Sequence, residues 1–265
     1  MRRMEFPGKN VVVTGAGRGI GAALARTFHE RGANVVLADL NGAGDAAHEI
    51  GSDRAIGLTA DVSTEAGNIA LIEAATAAFG PIDLFFANAG VGSGAALDNT
   101  PESVWDSAFD VNVHAHRWAA KHLVPGWVER GEGYFCSTAS AAGLLAQIGS
   151  APYTLTKRAA VAFAEWMSIT YGDAGVKVTC LCPQGVNTDM LHSGDDAISG
   201  ANVVKLAGAV LEPADVAEQV ADTIEAETFF VLPHSEVGDY MKMKASDPDR
   251  WLGGMRKLQR RAMGH

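Results

Sequence analysis

N-V-V-V-T-G-A-G-R-G-I-G-A-A-L-A-R-T-F-H-E-R-G-A-N-V-V-L-A-D, residues 10–39, is the stretch from which the fold is read. Residues 10–14 are a short β-branched run between glycines, the pattern of a buried strand. A glycine turn follows, Thr14-Gly15-Ala16-Gly17-Arg18-Gly19-Ile20-Gly21. Ala23, Leu24, Ala25 and Phe28 then recur at helical spacing, which predicts a helix through Arg31, closed by Gly32. Residues 34–38 make a second strand that ends at Asp39. Strand, glycine turn, helix, strand and acid in this order are the context of a dinucleotide site. The glycines let the backbone approach a diphosphate, and the helix amino terminus offers unpaired N–H groups at a positive dipole end. Gly15, Gly19 and Gly21 do not fit G-x-G-x-x-G, although Gly17-x-Gly19-x-x-Ala22 nearly does. The frame T-G-x-x-x-G-x-G has every fixed position filled.

The alternation continues outward. Residues 54–60 read as a third strand, followed by Asp61-Val62 and a helix from about Thr64 to Phe79. Residues 82–87 read as a fourth strand, ending in Asn88-Ala89-Gly90. A helix starts near Pro101, a favoured early position for proline, and leads to Asn112. Pro125 and the Gly131–Gly133 pair separate the next helix from a fifth strand at about 134–139. Ala151 to Tyr171 reads as a long helix and residues 176–182 as a sixth strand. A helix from Pro213 to Ala226 precedes a seventh strand at 228–232. Strands alternating with helices predict a single-domain, Rossmann-like α/β fold: a doubly wound parallel sheet of about seven strands with helices on both faces. Residues 1–233 would form this domain, with a lid at about 189–211, and 234–265 a helical extension.

Composition bounds the function classes. The 265 residues are 48% hydrophobic and 20% charged, as in an ordinary globular protein. A formal charge of -10 argues against nucleic-acid binding and against docking to an anionic membrane. No apolar run reaches the length of a membrane span. The opening M-R-R-M-E-F-P-G-K has no apolar core behind its basic residues, so no signal peptide is read. Cys136, Cys180 and Cys182 lie in apolar strand-like runs and read as buried free thiols of a cytoplasmic protein. The eight histidines show no zinc-type spacing, and no metal is expected.

A second constellation lies in S-A-A-G-L-L-A-Q-I-G-S-A-P-Y-T-L-T-K, residues 140–157. Tyr153 and Lys157 share one helix face. Ser140 follows the fifth strand, at the carboxyl end where open parallel sheets bind ligands. Together the motifs resemble the short-chain dehydrogenase/reductase family over roughly residues 7–190. Thr14-Gly15-(3)-Gly19-Ile20-Gly21 resembles its cofactor loop, and Asn88-Ala89-Gly90 the N-A-G after its fourth strand. Asn112, Ser140, Tyr153 and Lys157 match its catalytic tetrad. Pro183-Gln184-Gly185 resembles its P-G segment. The resemblance implies that Asp61, with Val62, lies at the adenine. It places Val186 at the cofactor, Thr188 on the nicotinamide carboxamide, and Lys157 on the nicotinamide ribose. It also implies that Asn112 supports a water chain returning protons to Lys157.

The residue types suit a proton-coupled hydride transfer between a secondary alcohol and a ketone, in which the cofactor handles the hydride and the protein must move the proton. An unperturbed tyrosine, near pKa 10, is a poor base at neutral pH. A lysine ammonium about 4 Å away contributes roughly 4 kcal/mol at an effective dielectric near 20, enough to bring Tyr153 toward working range. Ser140 would donate to the substrate oxygen. Asp39 can hydrogen-bond the adenosine ribose and would repel a 2′-phosphate. Arg18 pulls the other way, so NAD(H) is expected with NADP the weaker reading.

The lid carries Met190, Leu191, Ile198, Val203, Val204, Leu206 and Val210. With Leu144 and Leu145 they suggest an apolar small-molecule substrate. The family's usual D-G-G after the seventh strand is replaced by P-H-S-E, followed by an amphipathic tail with Tyr240, Met241, Met243, Trp251, Leu252, Met255 and Leu258. That tail could cross the lid, cap a neighbouring subunit or end as a basic helix. A homo-oligomer, dimer or tetramer, is expected. An NADPH-linked ketoacyl thioester reductase and a non-catalytic NAD(H)-sensing regulator are the alternative readings, with a sugar epimerase or dehydratase behind them.

Overall fold

The β-branched runs pair side by side, every neighbour parallel, in a computed structural model that describes residues 3–92, 97–192 and 209–263. The strands are β1 (Asn10–Thr14), β2 (Asn34–Asp39), β3 (Ala55–Thr59), β4 (Leu84–Ala87), β5 (Gly133–Thr138), β6 (Val176–Leu181) and β7 (Phe230–Val231). Their order is β3-β2-β1-β4-β5-β6-β7. The order reverses between β1 and β4, so the chain leaves their carboxyl ends in opposite directions and opens a crevice there. Burial on both faces explains why these strands read as continuous apolar runs. Val12, Val36, Phe85, Phe135 and Val178 feed one core. Val11, Val13, Leu37, Leu84, Phe86 and Tyr134 feed the other.

Helices cover both faces. On one lie α1 (Gly19–Glu30) and α2 (Ala43–Ile50), where Phe28 stacks on Phe6 at 4.8 Å. On the other lie α3 (Glu65–Phe79), α5 (Ala115–Arg130) and α7 (Ala151–Tyr171), the last two joined to the chain by α4 (Glu102–Phe109) and the short α6 (Ala141–Leu145). Thr64 caps α3 by accepting the Gly67 N–H at 3.0 Å, and Ser150 caps α7 through the Tyr153 N–H at 3.3 Å. After β6 come α8 (Asp189–His192), α9 (Pro213–Glu225), α10 (Glu236–Ser246) and α11 (Pro248–Met263).

The structure corrects the sequence reading at several points. Pro125 lies inside α5, not at its end. Pro125 and Lys121, whose carbonyl loses its helical partner, are both exposed, so water can take that bond. Helix α2 shows no clear apolar stripe in A-G-D-A-A-H-E-I, which buries only Ala43 and Ala47 fully and leaves Ala46 and Ile50 partly buried against the core. The seventh strand shrinks to two residues, because only Cys180 and Leu181 of β6 pair with it. Of the apolar lid residues, Ile198, Val203, Val204 and Leu206 lie outside the described residues. Met190 and Val210, at its two ends, are exposed. The return at Leu211 pairs with Val186, and the Asn187 N–H donates to the Leu211 carbonyl at 2.8 Å.

Candidate active site

The glycine turn carries β1 into α1 with Gly15 and Gly19 at positive φ, 63° and 57°, where a side chain would strain the backbone. A Cβ on Gly15 would come within 2.8 Å of the Ala89 backbone, so glycine lets the turn lie against the segment after β4. Asn88 fastens this junction. Its amide donates to the Thr14 carbonyl at 2.9 Å and accepts the Thr138 hydroxyl at 2.9 Å, tying β1, β4 and β5 together at their carboxyl ends. Thr14 completes the clamp, its hydroxyl accepting the N–H groups of Asn88 and Ala89, each at 3.0 Å.

These residues edge a cleft of about 1690 Å³, larger than the usual 300–1,000 Å³ of a small-molecule pocket. Gly15, Arg18, Gly19, Ile20 and Gly21 form one wall, Asp39, Asp61 and Val62 the next, and Asn88, Ala89 and Gly90 the floor. The Asp39 carboxylate accepts N–H bonds from Gly17 at 2.9 Å and Asn41 at 3.3 Å, with lone pairs left over. Asp61 accepts both the N–H and the hydroxyl of Ser63. Arg18 reaches Asp189 at 3.3 Å in an exposed pair, worth about 0–1 kcal/mol. The site fits a dinucleotide. The amino terminus of α1 has no side-chain cap and no acid in its first turn, which leaves donors for a diphosphate.

Ser140, Tyr153 and Lys157 line the same cleft where it deepens, and Asn112 stands behind it, fully buried. A π-helical turn at Asp110–His114 interrupts the passage from α4 to α5 and turns Asn112 inward, a distortion frequent at functional sites. The Asn112 amide accepts the Val91 N–H at 2.9 Å and donates to the Val91 carbonyl at 3.0 Å and the Thr156 hydroxyl at 3.1 Å. Both amide hydrogens are therefore used, and the side chain braces the segment after β4 against α7. Ser140 caps α6 by accepting the Ala142 N–H at 3.1 Å, while its own hydroxyl makes a long 3.4 Å bond to the Pro183 carbonyl and lies beside the Tyr153 phenol. That proton is free to turn to a better acceptor.

Lys157 is buried, and its ammonium donates to the Thr138 carbonyl at 2.9 Å and sits 5.6 Å from the Tyr153 ring centre. Burial lowers its pKa from 10.5 to about 8, partly offset by the thiols of Cys180 and Cys182. The Lys157 charge alone would pull the Tyr153 phenol down. In this structure the net direction is upward, because burial outweighs the downward pull of the Ser140 hydroxyl. His116 lies beneath, its Nδ1 3.1 Å from the Ser137 hydroxyl. Burial first, and the Lys157 charge second, hold it down to about 3, so it is neutral.

Pro183, Val186 and Thr188 line the cleft as well, with Gly185 behind them, its carbonyl accepting the Leu211 N–H at 3.0 Å. Several lining residues were not singled out from sequence. Gln147 and Ile148 carry no family signature, Gln184 sits within the P-G segment with no role of its own assigned, and Thr138 meets Lys157 through its backbone. The tail supplies the outer wall with Tyr240, Met243, Trp251, Met255 and Leu258. It is anchored where Val237 is buried and where the Lys244 ammonium donates to the Leu144 carbonyl at 2.6 Å. Among the described residues no cluster of side chains could hold a metal ion, and no helix is long and apolar enough to cross a membrane.

A family profile described as short chain dehydrogenase matches residues 9–198. The chain is 34% identical to a mitochondrial borneol dehydrogenase of Lavandula x intermedia, over 90% of this chain and 91% of the relative. It is 29% identical to human epidermal retinol dehydrogenase 2, over 86% of this chain and 75% of that protein. The crystal structure of a short chain dehydrogenase/reductase from Burkholderia phymatum in complex with NAD superposes with a TM-score of 0.85 at 29% identity. That match covers 93% of this chain and 96% of the other.

Proposed function

The chain belongs to the short-chain dehydrogenase/reductase family, and from that premise we propose an NAD(H)-preferring enzyme acting on an apolar secondary alcohol or ketone. Hydride transfer between a nicotinamide cofactor and an alcohol or ketone is the family's chemistry. The single observation that carries the finer reading is the shared cleft, which the glycine turn and Asp39, the Ser140, Tyr153 and Lys157 side chains, and the apolar Met243, Trp251 and Met255 all line.

When bound, the nicotinamide accepts or donates the hydride. The chain's residues manage the proton. Tyr153 would give its phenolic proton to the substrate oxygen in reduction and take it back in oxidation. Ser140 would turn its hydroxyl from the Pro183 carbonyl to the same oxygen, steadying charge there. Lys157 has one acceptor, the Thr138 carbonyl, so two N–H groups remain for ribose hydroxyls. A lysine titrating at about 8 can pass protons near neutral pH. Asn112 would hold Val91 and Thr156 in place rather than relay protons through its amide.

Preference for NAD(H) follows from the Asp39 carboxylate, which would meet a 2′-phosphate with like charge. The apolar outer wall favours a hydrocarbon frame, consistent with relatives named for borneol and retinol. We place the enzyme in the cytoplasm on its three buried, unpaired cysteines; a tagged protein found in an oxidising compartment would contradict this. We also propose a homo-oligomer, supported by exposed Trp166, Ile169 and Val128 on the outer faces of α7 and α5.

The test is a panel of secondary alcohols with NAD+ and NADP+, followed by dinucleotide absorbance. Turnover of cyclic apolar alcohols with a higher kcat/KM for NAD+ is expected. Reaction only with small charged hydroxy acids, or a preference for NADP+, would overturn the corresponding part.

A further inference from the structure

The two places where this chain departs from its family's pattern near the site meet each other in space. Gln184 interrupts the P-G segment, and His234 stands where the usual D-G-G follows the seventh strand. His234 is buried, and its Nδ1 accepts the Gln184 N–H at 3.2 Å. A ring nitrogen that accepts from an amide carries no proton, so Nε2 bears it and donates to the Ala209 carbonyl at 3.1 Å. The neutral His234 ring thus fixes the Gln184 backbone against the chain returning at Ala209.

What it fixes carries an acceptor with no partner. Gln184 lines the cleft, and its Oε1 is buried without a hydrogen-bond partner. A buried amide oxygen left unpaired costs about 1–3 kcal/mol, and such groups call for an explanation. The preceding residue, Pro183, has a carbonyl that accepts the Ala141 N–H at 2.9 Å and the Ser140 hydroxyl. Gln184 is therefore one residue from the anchor of the serine that faces the reacting oxygen. Gln147, another amide lining the cleft, already donates to the Ile148 carbonyl at 3.3 Å.

Building on the alcohol/ketone reading, we propose that Gln184, held by His234, is a specificity residue that hydrogen-bonds a second oxygen function of the substrate. The substrate class narrows to an apolar frame bearing a hydroxyl close to the carbinol or carbonyl carbon. The amide can accept from that hydroxyl through Oε1 or donate to it through Nε2. A site built to bind such a group disfavours the analogue that lacks it, because its own polar atom is then left unpaired. His234 is a positioning residue in this scheme.

The experiment compares kcat/KM for cyclohexane-1,2-diol and cyclohexanol, with NAD+, in the wild type and in Gln184→Leu, Gln184→Glu and His234→Phe. The wild type is expected to favour the diol roughly 10- to 100-fold. Gln184→Leu should erase that preference, with kcat/KM falling much further for the diol than for cyclohexanol. Gln184→Glu, which keeps an acceptor, should retain most of it, and His234→Phe should weaken it with the diol KM rising more than kcat falls. Intrinsic reactivity is common to all four proteins, so the change in ratio isolates the residue. A wild type that does not prefer the diol, or a preference unchanged in Gln184→Leu, would overturn the inference. Turnover of neither alcohol would instead count against the parent reading of the site.

Discussion

Lys157 shows how much a single buried charge costs where it is needed. Burial holds its pKa at about 8 against an ordinary 10.5, a difference of about 3 kcal/mol between its protonation states. Because the folded pKa is depressed, the unfolded chain binds the proton more readily between those two values. Stability from this group therefore rises with pH from about 8 to about 10 and is lowest below that window. Replacing Lys157 with methionine removes the penalty and loses the bond to the Thr138 carbonyl, worth about 1 kcal/mol. Lys157→Met is expected to be more stable than wild type by about 1–2 kcal/mol at about pH 7, with the gain vanishing near pH 10 and turnover lost. Urea unfolding at the two pH values checks this; a variant less stable at neutral pH would contradict it. Tyr153 and Lys157 were legible in sequence as a pair on one helix face. The upward push on the Tyr153 phenol was not, since burial is a property of everything packed around it.

Among the elements, the amino-terminal β1-α1-β2 unit was the most legible, because strand period, glycine turn and acid all lie within 30 contiguous residues. Helix α2 was not, because its few buried and partly buried apolar residues make no clear stripe. The π-turn at Asn112 was visible only as an asparagine poorly suited to a helix. The tail read as amphipathic, yet nothing in its period said what its apolar side covers. In the structure α11 turns Trp251, Met255 and Leu258 to the cleft, with Trp251 6.0 Å from the Tyr240 ring. Trp251→Ala is expected to raise KM for bicyclic alcohols by about tenfold, the loss of roughly 1–2 kcal/mol of apolar contact, with little change for 2-propanol. Equal KM values for both substrates in wild type and variant would show that α11 does not line the working pocket.

At the scale of the whole molecule, the switch between β1 and β4 explains why residues as distant as Gly15, Ser140 and Trp251 share one cleft. The outer faces of α5 and α7 are left with Trp166 and Ile169 exposed, at 51% and 83%. If a second copy covers that face, Trp166→Glu should shift light-scattering mass from dimer or larger toward monomer while the far-UV spectrum is kept. A wild type that is already monomeric would remove the proposal. The substrate side was the least legible, because it is assembled from the tail, Gln184 and the loop after α6, which share no local pattern. The central claim is that Tyr153 moves the proton in a dinucleotide-linked reaction. Tyr153→Phe tests it most directly, with NADH affinity followed by fluorescence and turnover of a cyclic secondary alcohol in the same preparation. Retained NADH binding with kcat reduced by about 10²- to 10⁴-fold is expected; retained binding with unchanged turnover would contradict the assignment.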